Sequence, residues 1–462
     1  MTLIKSISGI RGTIGGLPGN SLTPLDIVRF TSAFGSLLKS RQKKTVYTVV
    51  IGRDARISGE MVSTLVAGSL MGMGIHIIDL GFATTPTVEV AVTHHKADGG
   101  IILTASHNPG QWNALKLLNA AGEFISAEDG AELLAMAAGD QVEYAQVTAL
   151  GKMTRFDGMD EIHIDAVLKM KYVDREAIRQ AGFKVVIDCV NSVGGIILPS
   201  LLKKLGVSEV IELYCDPTGI FPHNPEPLPQ HLGDIACEMV KNKADVGFVV
   251  DPDVDRLVIV NEDGSMFGEE YTLVAIADYI LGHQSGNTVS NLSSTMALRD
   301  ITQKHGGSYT AAPVGEVNVV AEMKKTKAVI GGEGNGGIIY PDLHYGRDAL
   351  VGIALFLTHL AKSGTKCSEL RKTYPDYYNS KNKIELRPDV DVDRLIMAVR
   401  EKYKDFPVND RDGIRIDFDR EWVHLRKSNT EPIIRVISES TTPEKAEALS
   451  AKMIHEIHQL VG

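Results

Sequence analysis

The sequence predicts three related α/β domains followed by a small α+β domain. Two patterns carry that expectation. Apolar runs of strand length alternate with helical stretches, the order that builds mostly parallel sheets covered by helices. One strand–loop–helix–Gly–strand pattern also recurs three times, as a single supersecondary unit reused would. A chain of 462 residues has room for three or four domains. Its 44% hydrophobic and 23% charged residues are ordinary for a globular protein, so no disulfide or structural metal is needed to hold it together.

The first copy reads TVVIGRDARISGEMVSTLVAGSLMGMGIHIIDLG, the second FKVVIDCVNSVGGIILPSLLKKLGVSEVIELYC. The third, NTVSNLSSTMALRDITQKHGGSYTAAPVG, opens on a more polar strand. Each helix runs into glycine, which suits a left-handed C-terminal position. Each copy is followed by a short apolar strand and a loop of polar or small residues: GGIILT-ASHNP, ADVGFVV-DPDVDR and KAVI-GGEGNGG. After about residue 367 the pattern changes to KIELRP, a helix around VDRLIMAVREKY, the strands GIRIDF, EWVHLRKS and IIRVISE, and a closing helix. The expected domains are therefore 1–150, 151–252, 253–366 and 367–462.

Loops at the carboxyl ends of parallel strands are where α/β sheets bind ligands, so three such loops can together build one composite site. DPDVDR sets Asp251, Asp253 and Asp255 at alternate positions, which share one face if extended and converge if Pro252 forces a turn. Three such carboxylates repel one another, and a divalent cation, Mg²⁺ or Ca²⁺, relieves that. An EF-hand is excluded, since its glycine position holds Arg256 and a strand, Leu257-Val258-Ile259-Val260, follows. Mg²⁺ keeps open positions for phosphate oxygens, which gives Ser106 a role as phosphoryl carrier. His107 beside it suggests a serine hydrolase, but the G-x-S-x-G elbow is missing; on its own His107 reads as a structural histidine. RKSNTEP joins Arg426, Ser428, Asn429 and Thr430 into a cluster suited to phosphate, with Arg435 on the next strand as a second cation. Glu333 and Asn335 lie amid glycines that let a ligand approach the backbone, and can bond hydroxyls. Periodicity alone leaves Arg11 and Lys116 unplaced.

The net charge of −10 argues against nucleic acid or an anionic membrane as partner. The four cysteines, far apart and without a C-x-x-C pair, read as reduced thiols of a cytoplasmic protein. The opening MTLIKSISGIRGTIGG lacks the apolar run of a signal peptide, and no stretch of about 18 apolar residues offers a membrane span.

TASHNP, DPDVDR, the Glu-containing glycine loop and R-x-S-N-T-x-P, in that order, resemble the α-D-phosphohexomutase family over the whole chain. GRDAR near Arg53, HNPEPLP near Pro225 and GRDAL around Arg347 look like further family landmarks. The resemblance implies four domains around a central cleft and a phosphoserine at Ser106. It implies Mg²⁺ on Asp251, Asp253, Asp255 and the seryl phosphate, and interconversion of hexose 1- and 6-phosphates through a bisphosphorylated sugar. A hexose 1,6-bisphosphate then serves as activator, and the protein acts as a monomer or homodimer. Arg11 and Lys116 match positions beside the phosphoserine, with His107 counted in the same catalytic loop. Arg256 matches the residue closing the metal loop, and Glu333 and Asn335 match sugar contacts. Arg426, Ser428, Asn429 and Thr430 match the clamp on the non-transferring phosphate. The family's sugar loop often reads E-x-S-G-H. Here it is E-G-N-G-G, as in phosphoglucosamine mutases and in dual phosphomannomutase/phosphoglucomutases, with glucosamine phosphate slightly favoured. The competing classes are a metal-dependent sugar phosphatase and a non-catalytic sugar-phosphate sensor.

Overall fold

Each copy of the recurrent pattern folds as one unit in the computed structural model, which describes residues 1–6, 9–139, 142–385, 391–427 and 433–461. The first copy is strand Tyr47–Arg53, helix Gly59–Gly72 and strand Ile75–Phe82. The second is Lys184–Asp188, Gly194–Leu205 and Glu209–Leu213, and the third Thr288–Asn291, Ala297–Lys304 and Tyr309–Ala312. In all three, the two strands pair in parallel. In the second copy Gly206, at φ +94°, takes the left-handed position that ends the helix. The result is a four-domain α/β architecture with mixed sheets.

The chain divides into two compact units, one of residues 1–272 with 335–371, the other of 273–334 with 372–462. The first unit holds two sheets. One orders its strands as Ile4–Ser6, Gly9–Thr13, Trp112–Leu118, Gly99–Leu103, Tyr47–Arg53, Ile75–Phe82 and Met153–Arg155. It is parallel at the Tyr47–Arg53 side and antiparallel where Trp112–Leu118 and the N-terminal hairpin join. The other runs Leu257–Asn261, Val246–Val250, Lys184–Asp188, Glu209–Leu213, with only the first pair antiparallel. Leucine, isoleucine, valine and phenylalanine side chains at 0–3% exposure, among them Phe34, Ile51, Leu70 and Ile101, fill the core beneath the larger sheet. That burial fixes the strands whose carboxyl ends carry the loops.

The second unit contains the parallel strands Tyr309–Ala312, Thr288–Asn291 and Ile330–Glu333. Its antiparallel sheet runs Tyr378–Glu385, Ile433–Ser440, Trp422–Lys427, Ile414–Asp417, Val408–Asn409, and packs on helices Val392–Lys402 and Pro443–Val461. The first of these strands begins five residues ahead of the KIELRP reading. Its Asn379, Ser380 and Asn382 sit at a sheet edge, where partial solvation replaces apolar alternation. Among the described residues no helix is long and apolar enough to cross a membrane, and the four cysteines are free.

Candidate functional site

Ser106 follows the fully buried strand Gly99–Leu103 and sits at φ +49°, a conformation rare outside glycine. Such a backbone costs on the order of 1–3 kcal/mol and persists only where its surroundings fix it. Arg56, 1% exposed, does the fixing. Its Nη2 donates to the Ser106 carbonyl and to that of Asn108 (2.7 Å), and its Nη1 to those of Pro109 (2.7 Å) and Trp112 (3.0 Å). Its Nε donates to Asp54 Oδ2 at 2.9 Å. Thr104 Oγ1 donates to the same oxygen at 2.6 Å and accepts from the Ser106 N–H at 2.9 Å. GRDAR is conspicuous in the sequence, but nothing in its spacing shows that Arg56 turns inward.

The DPDVDR loop closes the hairpin in which Val250 pairs with Leu257. A turn, not the shared face of an extended strand, brings its carboxylates together. The Val254 N–H bonds the Asp251 carbonyl at 3.0 Å, and Val254 takes φ +63°. Ser192 Oγ donates to the Pro252 carbonyl at 2.7 Å and ties the turn down. Asp251, Asp253 and Asp255 are each 0% exposed, and each offers an oxygen within 4.8 Å of the others.

Ser106 Oγ donates to Asp251 Oδ2 at 2.6 Å, so the two sequence motifs meet at one point. Lys116, from strand Trp112–Leu118, reaches Asp253 Oδ2 at 2.6 Å and Asp255 Oδ2 at 3.2 Å. Thr85 Oγ1 donates to Asp253 Oδ2 at 2.6 Å, and Arg347 Nη2 to Asp255 Oδ2 at 2.7 Å. Burial, and then the neighbouring aspartates, push the Asp251 carboxyl well above the usual range. Burial acts on Asp253 in the same direction, but Lys116 outweighs it and holds that carboxyl low. Burial pulls Lys116 down, and Asp253 and Asp255 more than restore it, so its ammonium is held above the usual range. Lys116 and Arg347 thus set two cations against the three buried carboxylates. Asp253 Oδ1 and Asp255 Oδ1 are buried with no hydrogen-bond partner. An all-oxygen donor set with unbonded lone pairs fits a hard divalent cation.

His107 Nδ1 lies 3.2 Å from Ser106 Oγ. Burial and then the Arg256 charge pull its pKa down to about 2, which leaves the imidazole neutral. Arg11 lies opposite Ala114 in the strand register, hence on the same sheet face as Lys116. Arg256 donates its backbone N–H to Asp251 Oδ1 at 3.1 Å, and its Nη1 lies 3.9 Å from Glu226. Asn335 Oδ1 accepts from the Gly337 N–H at 3.3 Å. Of the landmarks, Arg53 stacks on Phe82 at 4.2 Å and so serves packing.

In the second unit Glu333, 5% exposed, accepts from Asn291 Nδ2 at 2.9 Å and from the Gly315 N–H at 3.1 Å. Arg426 Nε donates to Asp412 Oδ1 at 3.0 Å. The register sets exposed Arg435 directly opposite Arg426, so both cations occupy one face. Ser428, Asn429 and Thr430 lie outside the described residues.

Four family models match in sequence. They are the phosphoglucomutase/phosphomannomutase α/β/α domains I (residues 3–142), II (161–264) and III (268–378), and the C-terminal domain (386–456). The chain belongs to the phosphoglucomutase/phosphomannomutase family. It is therefore a phosphohexomutase, an enzyme of the isomerase class. A phosphoglucomutase/phosphomannomutase of Thermococcus kodakarensis is 35% identical over 96% of this chain and 98% of its own. A phosphoglucosamine/phosphogalactosamine mutase of Sulfurisphaera tokodaii is 30% identical over 98% of both. A phosphoglucomutase/phosphomannomutase family protein of Burkholderia thailandensis superposes with TM-score 0.84 at 25% identity, over 99% of this chain and 97% of that one. The phosphohexomutase loops were legible as motifs. The supporting roles of Asp54, Arg56 and Thr85 were not, since these residues lie in stretches of chain that join the Ser106 and aspartate loops only through folding.

Proposed function

We propose that this phosphohexomutase interconverts glucosamine 6-phosphate and glucosamine 1-phosphate through a phosphoserine at Ser106. The observation that carries the reading is the 2.6 Å approach of the Ser106 hydroxyl to Asp251 within a buried aspartate triplet. Asp251, Asp253 and Asp255 would hold Mg²⁺, which when bound neutralises charge on a transferring phosphoryl group. The remaining chemistry belongs to the chain. Arg56 holds the Ser106 turn in a fixed orientation, so little reorganisation is needed at transfer. Lys116 supplies positive charge beside the phosphoryl group, with Arg11 on the same face. Neutral His107 is within reach of a proton at Oγ.

The phosphoryl group leaves Ser106 Oγ for a free sugar hydroxyl, and the bisphosphorylated sugar returns its other phosphoryl group to the same oxygen. A hexose 1,6-bisphosphate therefore recharges the enzyme when the intermediate is lost. Arg256, Glu333 and Asn335 are assigned to the substrate, and Arg426, Arg435, Ser428, Asn429 and Thr430 to its resting phosphate. Glu333 can pair with a 2-ammonium group, which favours glucosamine; the Sulfurisphaera relative's name supports that reading. The four free thiols suit the cytoplasm. The domain limits 1–150, 151–252, 253–366 and 367–462 remain our proposed division. The test is a panel of glucosamine, glucose and mannose 1-phosphates with inorganic phosphate monitored alongside. Conversion to 6-phosphates without phosphate release is expected, glucosamine fastest; stoichiometric phosphate release identifies a phosphatase instead.

A further inference from the structure

Beside the residues that touch the metal loop, four titratable side chains form a largely buried chain. His163, 0% exposed, has Nδ1 3.0 Å from Thr87 Oγ1 and Nε2 2.9 Å from Asp348 Oδ2. His344 Nε2 lies 3.1 Å from the same Asp348 oxygen. His344 Nδ1 lies 3.2 Å from Glu89 Oε2, an ion-pair contact without hydrogen-bond geometry, and the Glu89 side chain is 1% exposed. Asp348 Oδ1 caps the next helix, accepting from the Leu350 and Val351 N–H groups at 2.8 and 3.3 Å. A side chain on Gly346 would begin 1.7 Å from Glu89 Oε2, so the loop approaches the helix closely only because that position is glycine.

The two elements joined by this chain are the same two that grip the metal loop. Helix Thr85–His94 carries Glu89 four residues after Thr85. Thr85 donates to Asp253 through its hydroxyl at 2.6 Å and through its backbone N–H at 2.9 Å. The 344–349 stretch carries Arg347, on Asp255, and Ala349, whose N–H meets the Val254 carbonyl at 3.3 Å. The geometry points to His344 as a positioning residue for phosphoryl transfer: set between Glu89 and Asp348, it pins Thr85 and Arg347 against Asp253 and Asp255 of the metal loop. The inference rests on the Mg²⁺-dependent reading above.

The charges agree with this role. The groups facing His344 are Glu89, Asp348 and, beyond Asp348, His163; Lys116 and Asp255 act on it through Glu89. Burial lowers the His344 pKa, but Asp348 and Glu89 outweigh it and raise it to about 10. The folded pKa thus lies above the unfolded value near 6.5. The stabilisation is complete below about pH 6.5 and is lost as pH rises through about 10.

The test uses the full-length protein with His344→Gln and Glu89→Gln. In metal-free protein, wild type should lose thermal stability and hydrogen-exchange protection around 344–349 on the alkaline side. His344→Gln should lack that limb, and Glu89→Gln should shift it to lower pH. With Mg²⁺ and sugar phosphate, His344→Gln should raise the half-saturating Mg²⁺ concentration and lower kcat, each by roughly tenfold or more, and leave the sugar-phosphate KM within about twofold. Glu89→Gln, the gentler change, supplies the same readouts should His344→Gln not fold. An unchanged alkaline limb in both variants overturns the pin. So does a stoichiometric transition metal, found by elemental analysis of wild type and absent from His344→Gln, which would make His163, His344 and Asp348 a metal site. Failure of Mg²⁺-dependent turnover in wild type, with the alkaline limb present, rejects the functional reading and leaves the pin standing.

Discussion

Arg56→Lys keeps a positive charge in place and removes the guanidinium fork. Arg56 is 1% exposed and spreads its five bonds over four backbone carbonyls and Asp54. A lysine ammonium has three donors on one nitrogen, so at least two of the five bonds are lost. Each hydrogen bond to a charged group contributes about 1.5–3 kcal/mol, and the orphaned carbonyls stay buried. A local cost of about 3 kcal/mol or more follows, which is roughly two decades in the ratio of ordered to disordered Ser106 turn. Because Ser106 depends on this fork to hold its φ of +49°, the loss should fall on catalysis. The expected result is a decrease of about a hundredfold in kcat, with faster hydrogen exchange confined to residues 104–112. The assay pairs steady-state mutase kinetics with exchange mass spectrometry. Wild-type exchange at 104–112 together with turnover within twofold would refute the claim that Arg56 orders the Ser106 turn.

Five further outcomes are expected. Asp253→Asn should raise the half-saturating Mg²⁺ concentration and lower activity together by roughly tenfold to a hundredfold, as befits loss of one charged contact; titration of activity against Mg²⁺ checks it. Lys116→Met strips the cation from the buried Asp253–Asp255 pair and should destabilise the metal-free protein by about 3–5 kcal/mol, read as a lower Tm in chelator that Mg²⁺ partly restores. Excess chelator should abolish wild-type turnover, and thiophilic ions should replace Mg²⁺ poorly, since every proposed donor is oxygen. Arg426→Ala should depress kcat/KM for glucosamine, glucose and mannose phosphates by a similar factor of roughly ten to a hundred. Glu333→Gln and Asn335→Ser should instead alter the ranking of the three sugars.

The alternation of short apolar runs with helical stretches made the repeated α/β units legible, because runs as short as VVI and GFVV suit strands buried on both faces. It failed at Tyr378–Glu385, where an edge strand is written in Asn, Ser and Lys, and at Gly9–Thr13, whose glycines mask a strand that carries Arg11. In the candidate site, Ser106 and the aspartates were visible because their chemistry is concentrated in two short strings. The groups that shape them were hidden for a physical reason. Arg56 is 50 residues from Ser106 and Thr85 is 168 from Asp253, and neither side chain differs by type from a surface residue. The turn at Val254 was only half foreseen: Pro252 predicts a bend, but not that a β-branched residue occupies the left-handed region beside the carboxylates.

The most direct test of the account follows the phosphoryl group itself. Enzyme carrying an isotopically labelled phosphate is mixed with unlabelled glucosamine 6-phosphate in Mg²⁺, and protein, sugar and inorganic phosphate are separated. Ser106 should be the labelled residue by peptide mass spectrometry, about one phosphate heavier and unmodified in Ser106→Ala. The label should pass to sugar phosphate within a single turnover, with none released as inorganic phosphate. Normal mutase turnover by Ser106→Ala, or label appearing chiefly as inorganic phosphate, would contradict it.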